Sequence, residues 1–134
     1  ALVRGVESGE AEEEPQVIAE KANLRFGAVV AVTGEVDWVS DGKRIVRVFN
    51  GHPLLTRVTG TGCMVTSLCG AFCAVEEDFL MASAVALSFL GVCAEIAVPF
   101  SSGPASFKNR LFDMMYKLDK DTFDRLARFE VENL

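Results

Sequence analysis

Two glycines and a cysteine lie close together directly before a long apolar segment. They form the stretch Gly60-Thr61-Gly62-Cys63, and the apolar residues 64–75 that follow predict a helix. Glycine permits a tight turn and lets a ligand approach the backbone closely. The free N–H groups of a helix's first turn and the helix dipole favour an anion at this position. The stretch therefore predicts an anion hole suited to a phosphoryl group in transfer, although a tight strand–helix turn without a ligand produces the same short pattern.

The segments before this stretch predict a helix, a strand and a hairpin. A helix is expected from Pro15 to Phe26, with Gly27 at its C-terminal end. The β-branched run 28–33 is apolar on both faces, which is typical of a buried strand in a parallel sheet. The runs 36–39 and 44–49 flank an Asp-Gly pair, which predicts a hairpin. A further strand is expected at residues 1–5.

The segments after the glycine stretch predict helices. Residues 79–98 are long and apolar enough to cross a membrane, but their Ala, Ser, Gly and Cys content and acidic flank favour a buried core helix. A helix from Ser106 to about Tyr116 and a short last helix complete the chain. The last helix is expected to be capped by Asp121 or Thr122 and to direct three apolar side chains inward: Phe123, Leu126 and Phe129. This order of elements predicts an α/β fold with too few strands for a complete doubly wound sheet.

The composition argues against several classes of function. The chain has 134 residues and a formal net charge of -6, which disfavours a nucleic-acid surface because phosphate binding needs clustered Lys and Arg. His52 is the one histidine, and the four cysteines form no CxxC pair, so no metal cluster is predicted. The cysteines are expected to be buried free thiols in a reducing cytoplasm. No membrane partner is expected.

Three longer motifs carry a family resemblance. They are Val32-Thr33-Gly34-Glu35-Val36-Asp37, Asn50-Gly51-His52-Pro53-Leu54-Leu55-Thr56 and Val58-Thr59-Gly60-Thr61-Gly62-Cys63-Met64. In these motifs, and over nearly its whole length, the chain resembles the hydroxyethylthiazole kinases of the ribokinase-like superfamily. The resemblance implies the ribokinase-like three-layer α/β fold. It also implies that residues 1–134 form a single partial domain, the C-terminal half of such a kinase.

The resemblance implies a reaction and a set of site residues. These kinases transfer the γ-phosphoryl group of ATP to the hydroxyethyl group of a methylthiazole, with Mg²⁺, in thiamine biosynthesis and salvage. By position, Thr33 would contact the ATP phosphates and Gly60 would contact the thiazole. The amides of Gly60, Thr61 and Gly62 would form the anion hole. Cys63 falls where sugar kinases of the superfamily place a catalytic Asp. The family is usually a homotrimer with active sites between subunits.

The resemblance also leaves alternatives open. The expected metal ligands lie outside the chain, so none is assigned here, and this chain alone is expected to be inactive. Ala105 replaces a glycine that is common in the family. Another ribokinase-like kinase acting on a sugar or hydroxymethylpyrimidine is one alternative, and a non-catalytic truncated assembly module is another. Since a thiol is a poor base for an alcohol, the backbone donors are expected to outweigh Cys63 in catalysis. Glu35 and Asp37 are interpreted as solvated charges without a role, and His52 as structural.

Overall fold

The computed structural model describes residues 13–134, and the expected strand at 1–5 lies outside them. Helix α1 (Pro15–Phe26) begins on a proline, whose missing N–H costs nothing at that position. It ends at Gly27, where φ is 62° and the backbone N–H donates to the Asn23 carbonyl. This left-handed ending is the reason for the glycine, and it confirms the predicted helix.

Within residues 13–134, four strands form one antiparallel sheet in the order β1-β2-β3-β4. Their bounds are β1 (Val30–Val32), β2 (Asp37–Ser40), β3 (Arg44–Val48) and β4 (Phe129–Asn133). The predicted hairpin is confirmed between β2 and β3, with Val39 opposite Val46. Its turn contains Gly42 at φ 84°, and the Asp41 carboxylate accepts the backbone N–H groups of Lys43 and Arg44 at 2.9 and 2.7 Å. The local Asp-Gly chemistry therefore produces the turn that it predicts.

The prediction of a buried parallel strand at residues 28–33 is wrong for the part of the chain that the structure describes. There β1 covers only Val30–Val32, pairs antiparallel with β2 and has no fully buried residue. An apolar run indicates a strand but does not determine which neighbour it pairs with. The short turn after Thr33 returns the chain beside β1, so β2 becomes its antiparallel partner.

The end of the chain also differs from the prediction. Helix α5 (Lys120–Leu126) is capped by Asp119, whose carboxylate accepts the Thr122 N–H at 2.7 Å, so the expected cap at Asp121 or Thr122 is wrong. Phe129 is not on the helix, because it begins β4 and lies opposite Val48. A strand whose Glu and Asn residues are exposed has little apolar signal of its own, and pairing with β3 is what determines its structure.

The remaining helices are α2 (Thr61–Cys73), α3 (Phe79–Ala97) and α4 (Pro104–Lys117). The segment Phe79–Phe100 has the length and hydropathy of a membrane span, but 67% of its most apolar window is buried inside the protein. Buried α3 residues pack with Val39, Val46 and Val48 of the sheet and with Phe107 and Leu111 of α4. The prediction that 79–98 is a core helix therefore holds in the fold, since its apolar surface already has protein partners.

Helices contact both faces of the sheet. Residues two apart on a strand share a face, and Val39, Val46 and Val48 join the core with α3. Ser40 and Ile45, which lie opposite each other in the register, are buried outside that core cluster, on the other face. Helix α1 contacts β1 and β2, and α3 contacts β2 and β3. The result is a helix–sheet–helix arrangement of three layers.

Candidate functional site

The start of α2 presents three backbone amides that have no acceptor in the part of the protein that the structure describes. Gly60 is the N-cap with φ 95°, a conformation that favours glycine, and its carbonyl accepts the Met64 N–H at 2.9 Å. Within residues 13–134, the N–H groups of Thr61, Gly62 and Cys63 donate to no protein atom. A Cβ placed on Gly60 or Gly62 would meet no atom within 4 Å. Free donors therefore face open space, as an anion site requires.

The Thr61 side chain holds the preceding segment in place. Its hydroxyl Oγ1 lies 3.0 Å from the Leu55 carbonyl oxygen and 3.3 Å from the Val58 carbonyl oxygen, and it donates toward both. Leu55 lies in the middle of the 3₁₀ turn Pro53–Arg57, and Val58 is the residue that follows this turn. The hydroxyl thus fixes the entry to α2, and of Thr61 only the backbone amide remains available to a ligand.

A cavity of about 450 Å³ lies beside this helix start. Its lining combines β1 and its end with residues of α2 and α3: Val29, Ala31, Thr33, Gly62, Val65, Thr66, Cys69, Ser83 and Leu87. The cavity thus brings together Thr33 and Gly62, which are 29 positions apart in the sequence. The other three predicted site residues, Gly60, Thr61 and Cys63, do not line it. They lie next to Gly62 in the chain, at the same helix start.

Cys63 is exposed in the first turn of α2, so the expectation that every cysteine is buried is wrong at this position. Glycines on either side of Thr61 leave little side-chain bulk to cover it. All four cysteines are free thiols; Cys93 is buried, and Cys69 and Cys73 are partly buried. Burial raises the pKa of the Cys93 thiol to about 12, which keeps it protonated.

Asn50 is the centre of a buried hydrogen-bond network. Its Nδ2 donates to the Leu126 carbonyl at 2.9 Å and to the Glu95 carboxylate at 3.2 Å. Its Oδ1 accepts the Ser88 hydroxyl and the Arg128 backbone N–H, both at 2.7 Å. The residue is only 4% exposed, and every hydrogen-bonding atom of its amide group has a partner. One side chain thus joins the end of β3 to α3 and to the junction between α5 and β4.

The residues around Asn50 extend this hydrogen-bond network toward the start of α2. The Gly51 N–H donates to Glu95 at 2.9 Å, and Glu95 also pairs with Arg128 at 2.8 Å. The His52 Nδ1 accepts the Leu54 N–H at 3.1 Å and caps the 3₁₀ turn, in agreement with the structural interpretation of His52. Sequence reasoning recognised this motif but missed its network. The signal was Glu95, the lone charge in an otherwise apolar helix.

The interpretation of Asp37 as a solvated charge is wrong. Its carboxylate accepts the Gly34 N–H at 2.9 Å, and burial raises its pKa from 3.8 to about 6. Burial likewise raises the pKa of the Cys69 thiol in the cavity wall, with smaller contributions from the charges of Cys73 and Asp37. Glu35, by contrast, is exposed. The alternation of side chains along β2 turns Asp37 to the face of Val39, the core face, which the sequence pattern alone did not reveal.

The described residues fit a phosphate group better than a magnesium ion. Three free amides and the Thr33 side chain are hydrogen-bond donors of the kind that phosphate oxygens accept. Magnesium prefers carboxylate and other oxygen ligands. Among residues 13–134 no group of three or more His, Cys, Asp or Glu side chains is placed to hold a metal.

The family model and similar curated proteins agree on one family for this chain. Residues 1–121 match the hydroxyethylthiazole kinase family. The hydroxyethylthiazole kinase of Roseiflexus sp. (strain RS-1) is 45% identical over 126 residues, which cover 94% of this chain and 47% of that protein. The one from Pyrococcus abyssi is also 45% identical over 126 residues, 93% of this chain and 47% of that protein.

A solved structure agrees with the sequence comparison. The hydroxyethylthiazole kinase structure from Pyrococcus horikoshii OT3 matches with a TM-score of 0.84 and 43% identity, over 87% of this chain and 46% of that one. The match confirms the predicted ribokinase-like α/β fold. The chain spans about half the length of the relatives it matches. On both sequence and structure, the chain belongs to the hydroxyethylthiazole kinase family.

Proposed function

We propose that this chain carries the phosphoryl-transfer part of an ATP-dependent kinase that phosphorylates the hydroxyethyl group of methyl-hydroxyethyl-thiazole. The observation that supports it most directly is the set of free amides at residues 61–63, which lie beside a cavity shared by Gly62 and Thr33. Phosphoryl transfer depends on positioning and on stabilising developing negative charge. Donors that are fixed before the substrate arrives supply that stabilisation without reorganisation.

Each predicted site residue has a role in this proposal. Thr33, at the rim of the cavity, donates a hydrogen bond from its hydroxyl to the phosphates of ATP. Gly60 lets the thiazole alcohol approach the backbone, since no side chain covers its Cα. The amides of Thr61, Gly62 and Cys63 bind the oxygens of the group in transfer. The exposed Cys63 thiol contacts the acceptor alcohol, and its contribution is smaller than that of the amides because a thiol is a poor base for an alcohol.

The cofactors and surroundings are part of the same proposal. ATP is the phosphoryl donor, and Mg²⁺, when bound, neutralises phosphate charge. Its ligands come from outside residues 13–134. We propose that residues 1–134 form one partial domain of the kinase, that the active enzyme is a cytoplasmic homotrimer and that its product enters thiamine biosynthesis. Large apolar side chains that remain exposed agree with further protein contacts in the active enzyme: Leu24, Phe26, Val75 and Phe100.

The test is a phosphorylation assay with two preparations. One is the chain alone, and the other is the chain joined to the portion of the Pyrococcus horikoshii relative that it does not match, termed here the complemented enzyme. ATP-dependent phosphorylation of the thiazole alcohol is expected only from the complemented enzyme. A hydroxymethylpyrimidine and a sugar serve as competing substrates, and preference for either would replace the proposal with that of a different ribokinase-like kinase. No turnover of any of the three would favour the non-catalytic assembly module.

A further inference from the structure

Asp37 closes the turn that carries Thr33. Val32 of β1 lies opposite Trp38 of β2, so Thr33 and Asp37 are the two residues at which the strands part. The Asp37 Oδ1 reaches back across this turn and accepts the Gly34 N–H at 2.9 Å. A carboxylate bonded to the amide next to Thr33 fixes the backbone direction at which the Thr33 side chain leaves the strand.

Asp37 also lies on the face of the sheet that the cavity occupies. It shares that face with Val39 by the two-residue repeat of a strand, and its charge acts on Cys69, which lines the cavity. Thr33 lines the same cavity. One carboxylate is therefore near both the cavity wall and the backbone that positions the cavity's rim.

A contribution to fold stability does not explain why a carboxylate stands at position 37. Its burial disfavours the ionised form more than the Gly34 hydrogen bond favours it, so an ionised Asp37 costs the fold free energy at neutral pH. Among the residues that the structure describes, no Lys, Arg or His lies within salt-bridge distance of it. An ionisable group beside a cavity, whose charged form is disfavoured by burial, is typical of functional sites.

We propose that Asp37 is a positioning residue of the nucleotide site, holding the Thr33–Asp37 turn so that the Thr33 hydroxyl faces the phosphates. The inference rests on the proposed kinase function. Asp37 itself does not touch the substrate, and it acts through the Gly34 amide on Thr33.

The test compares Asp37→Ala with Asp37→Asn in the complemented enzyme. Asp37→Ala removes the acceptor of the Gly34 N–H. It is expected to raise KM for ATP about tenfold, which is the effect of losing one hydrogen bond between the Thr33 hydroxyl and a charged phosphate. KM for the thiazole alcohol should not change. Asp37→Asn keeps an oxygen of the same reach, so KM for ATP should stay within about twofold of the wild type.

A double-mutant cycle separates positioning from general destabilisation. If Asp37 acts through Thr33, the Thr33→Ala/Asp37→Ala double variant should be no worse for ATP than Thr33→Ala alone. If the two substitutions raise KM for ATP independently, so that the double variant shows the product of the two single effects, the proposal is overturned. An Asp37→Ala variant that loses thermal stability but keeps its KM for ATP would also overturn it.

Asp41 provides the matched control. Its carboxylate also accepts backbone N–H groups across a turn at the end of β2, but the turn that it closes contains no residue of the cavity lining. Asp41→Ala is expected to lower Tm and to leave KM for ATP unchanged, and an equal rise in KM for both variants would contradict a specific role of Asp37.

Calorimetry with ADP distinguishes the two proposals. A wild-type complemented enzyme that binds ADP but phosphorylates nothing would overturn the kinase function alone. Weaker ADP binding by Asp37→Ala would still support the positioning role in that case. A wild type that binds no ADP would overturn both proposals.

Discussion

Gly62→Ala should separate the stability of α2 from the chemistry at its start. Gly62 has a negative or extended φ rather than a left-handed one, since the glycines with positive φ are Gly27, Gly42, Gly51 and Gly60. A Cβ at Gly62 would meet no protein atom within 4 Å. Alanine is better than glycine inside a helix by about 1 kcal/mol, and somewhat less in the first turn. The free energy of unfolding should therefore stay the same or rise by up to about 1 kcal/mol.

The same substitution should strongly reduce activity. Gly62 lines the cavity and lies between two of the free amides, so its new methyl group occupies the space that a phosphate oxygen would need. Losing the use of one oxyanion donor costs roughly 10²- to 10³-fold, or about 3–4 kcal/mol in the transition state. We expect a loss of that size in kcat/KM.

The assay measures kcat/KM for both substrates in the complemented enzyme, together with chemical unfolding of each variant. Gly70→Ala is the matched control, because Gly70 is also in α2, its new Cβ would meet no atom within 4 Å, and it does not line the cavity. This control variant should be equally stable or more stable and fully active. A Gly62→Ala enzyme with wild-type kcat/KM would refute the reasoning that this space holds the phosphoryl group.

Single substitutions at three other positions test the site, the packing and the electrostatics. Cys63→Asp should keep or raise kcat in the complemented enzyme, since the amides carry most of the stabilisation, and a loss above about 10³-fold would show that the thiol matters more. Gly91→Ala should destabilise the fold by about 1–3 kcal/mol in chemical unfolding, because its Cβ would lie 2.6 Å from the Asn50 backbone; an unchanged midpoint would contradict this packing. For Asp37, the pKa rises from 3.8 unfolded to about 6 folded, so its contribution to stability is full below pH 4 and is lost as pH rises through 6, by at most about 3 kcal/mol. Asp37→Asn should remove this pH-dependent decrease in the free energy of unfolding, as measured by chemical unfolding at a series of pH values. A wild-type free energy of unfolding that rises by the same amount from pH 4 to 6 would contradict the predicted direction.

Local chemistry predicted the elements whose ends depend on backbone geometry. Gly27 and the Asp41-Gly42 pair ended a helix and made a turn where expected, because positive φ is a property of the residue itself. The apolar helix α3 was likewise evident from its length and hydropathy. The motif around Gly60 was sufficient to place a helix start with free amides, since that arrangement needs only neighbours in the chain.

Long-range pairing could not be predicted in the same way. β4 has a mostly polar surface and exists because it pairs with β3, so the local pattern wrongly extends the last helix to Phe129. In the sequence Asp37 is one of several hairpin charges, and only the strand register turns it to the core face. The partners of Asn50 lie 38 or more positions away along the chain.

The sequence by itself determined the family and the helix start at Gly60, because motifs and caps are local, whereas the roles of the five predicted site residues stay predictions. Only the tertiary structure decided that Thr33 and Gly62 share a cavity, that the Thr61 hydroxyl is already used within the protein, and that Asp37 is half-buried. These facts depend on which strand lies beside which helix. That choice is made by the packing of the whole core, in which each residue contributes only a small part of the free energy.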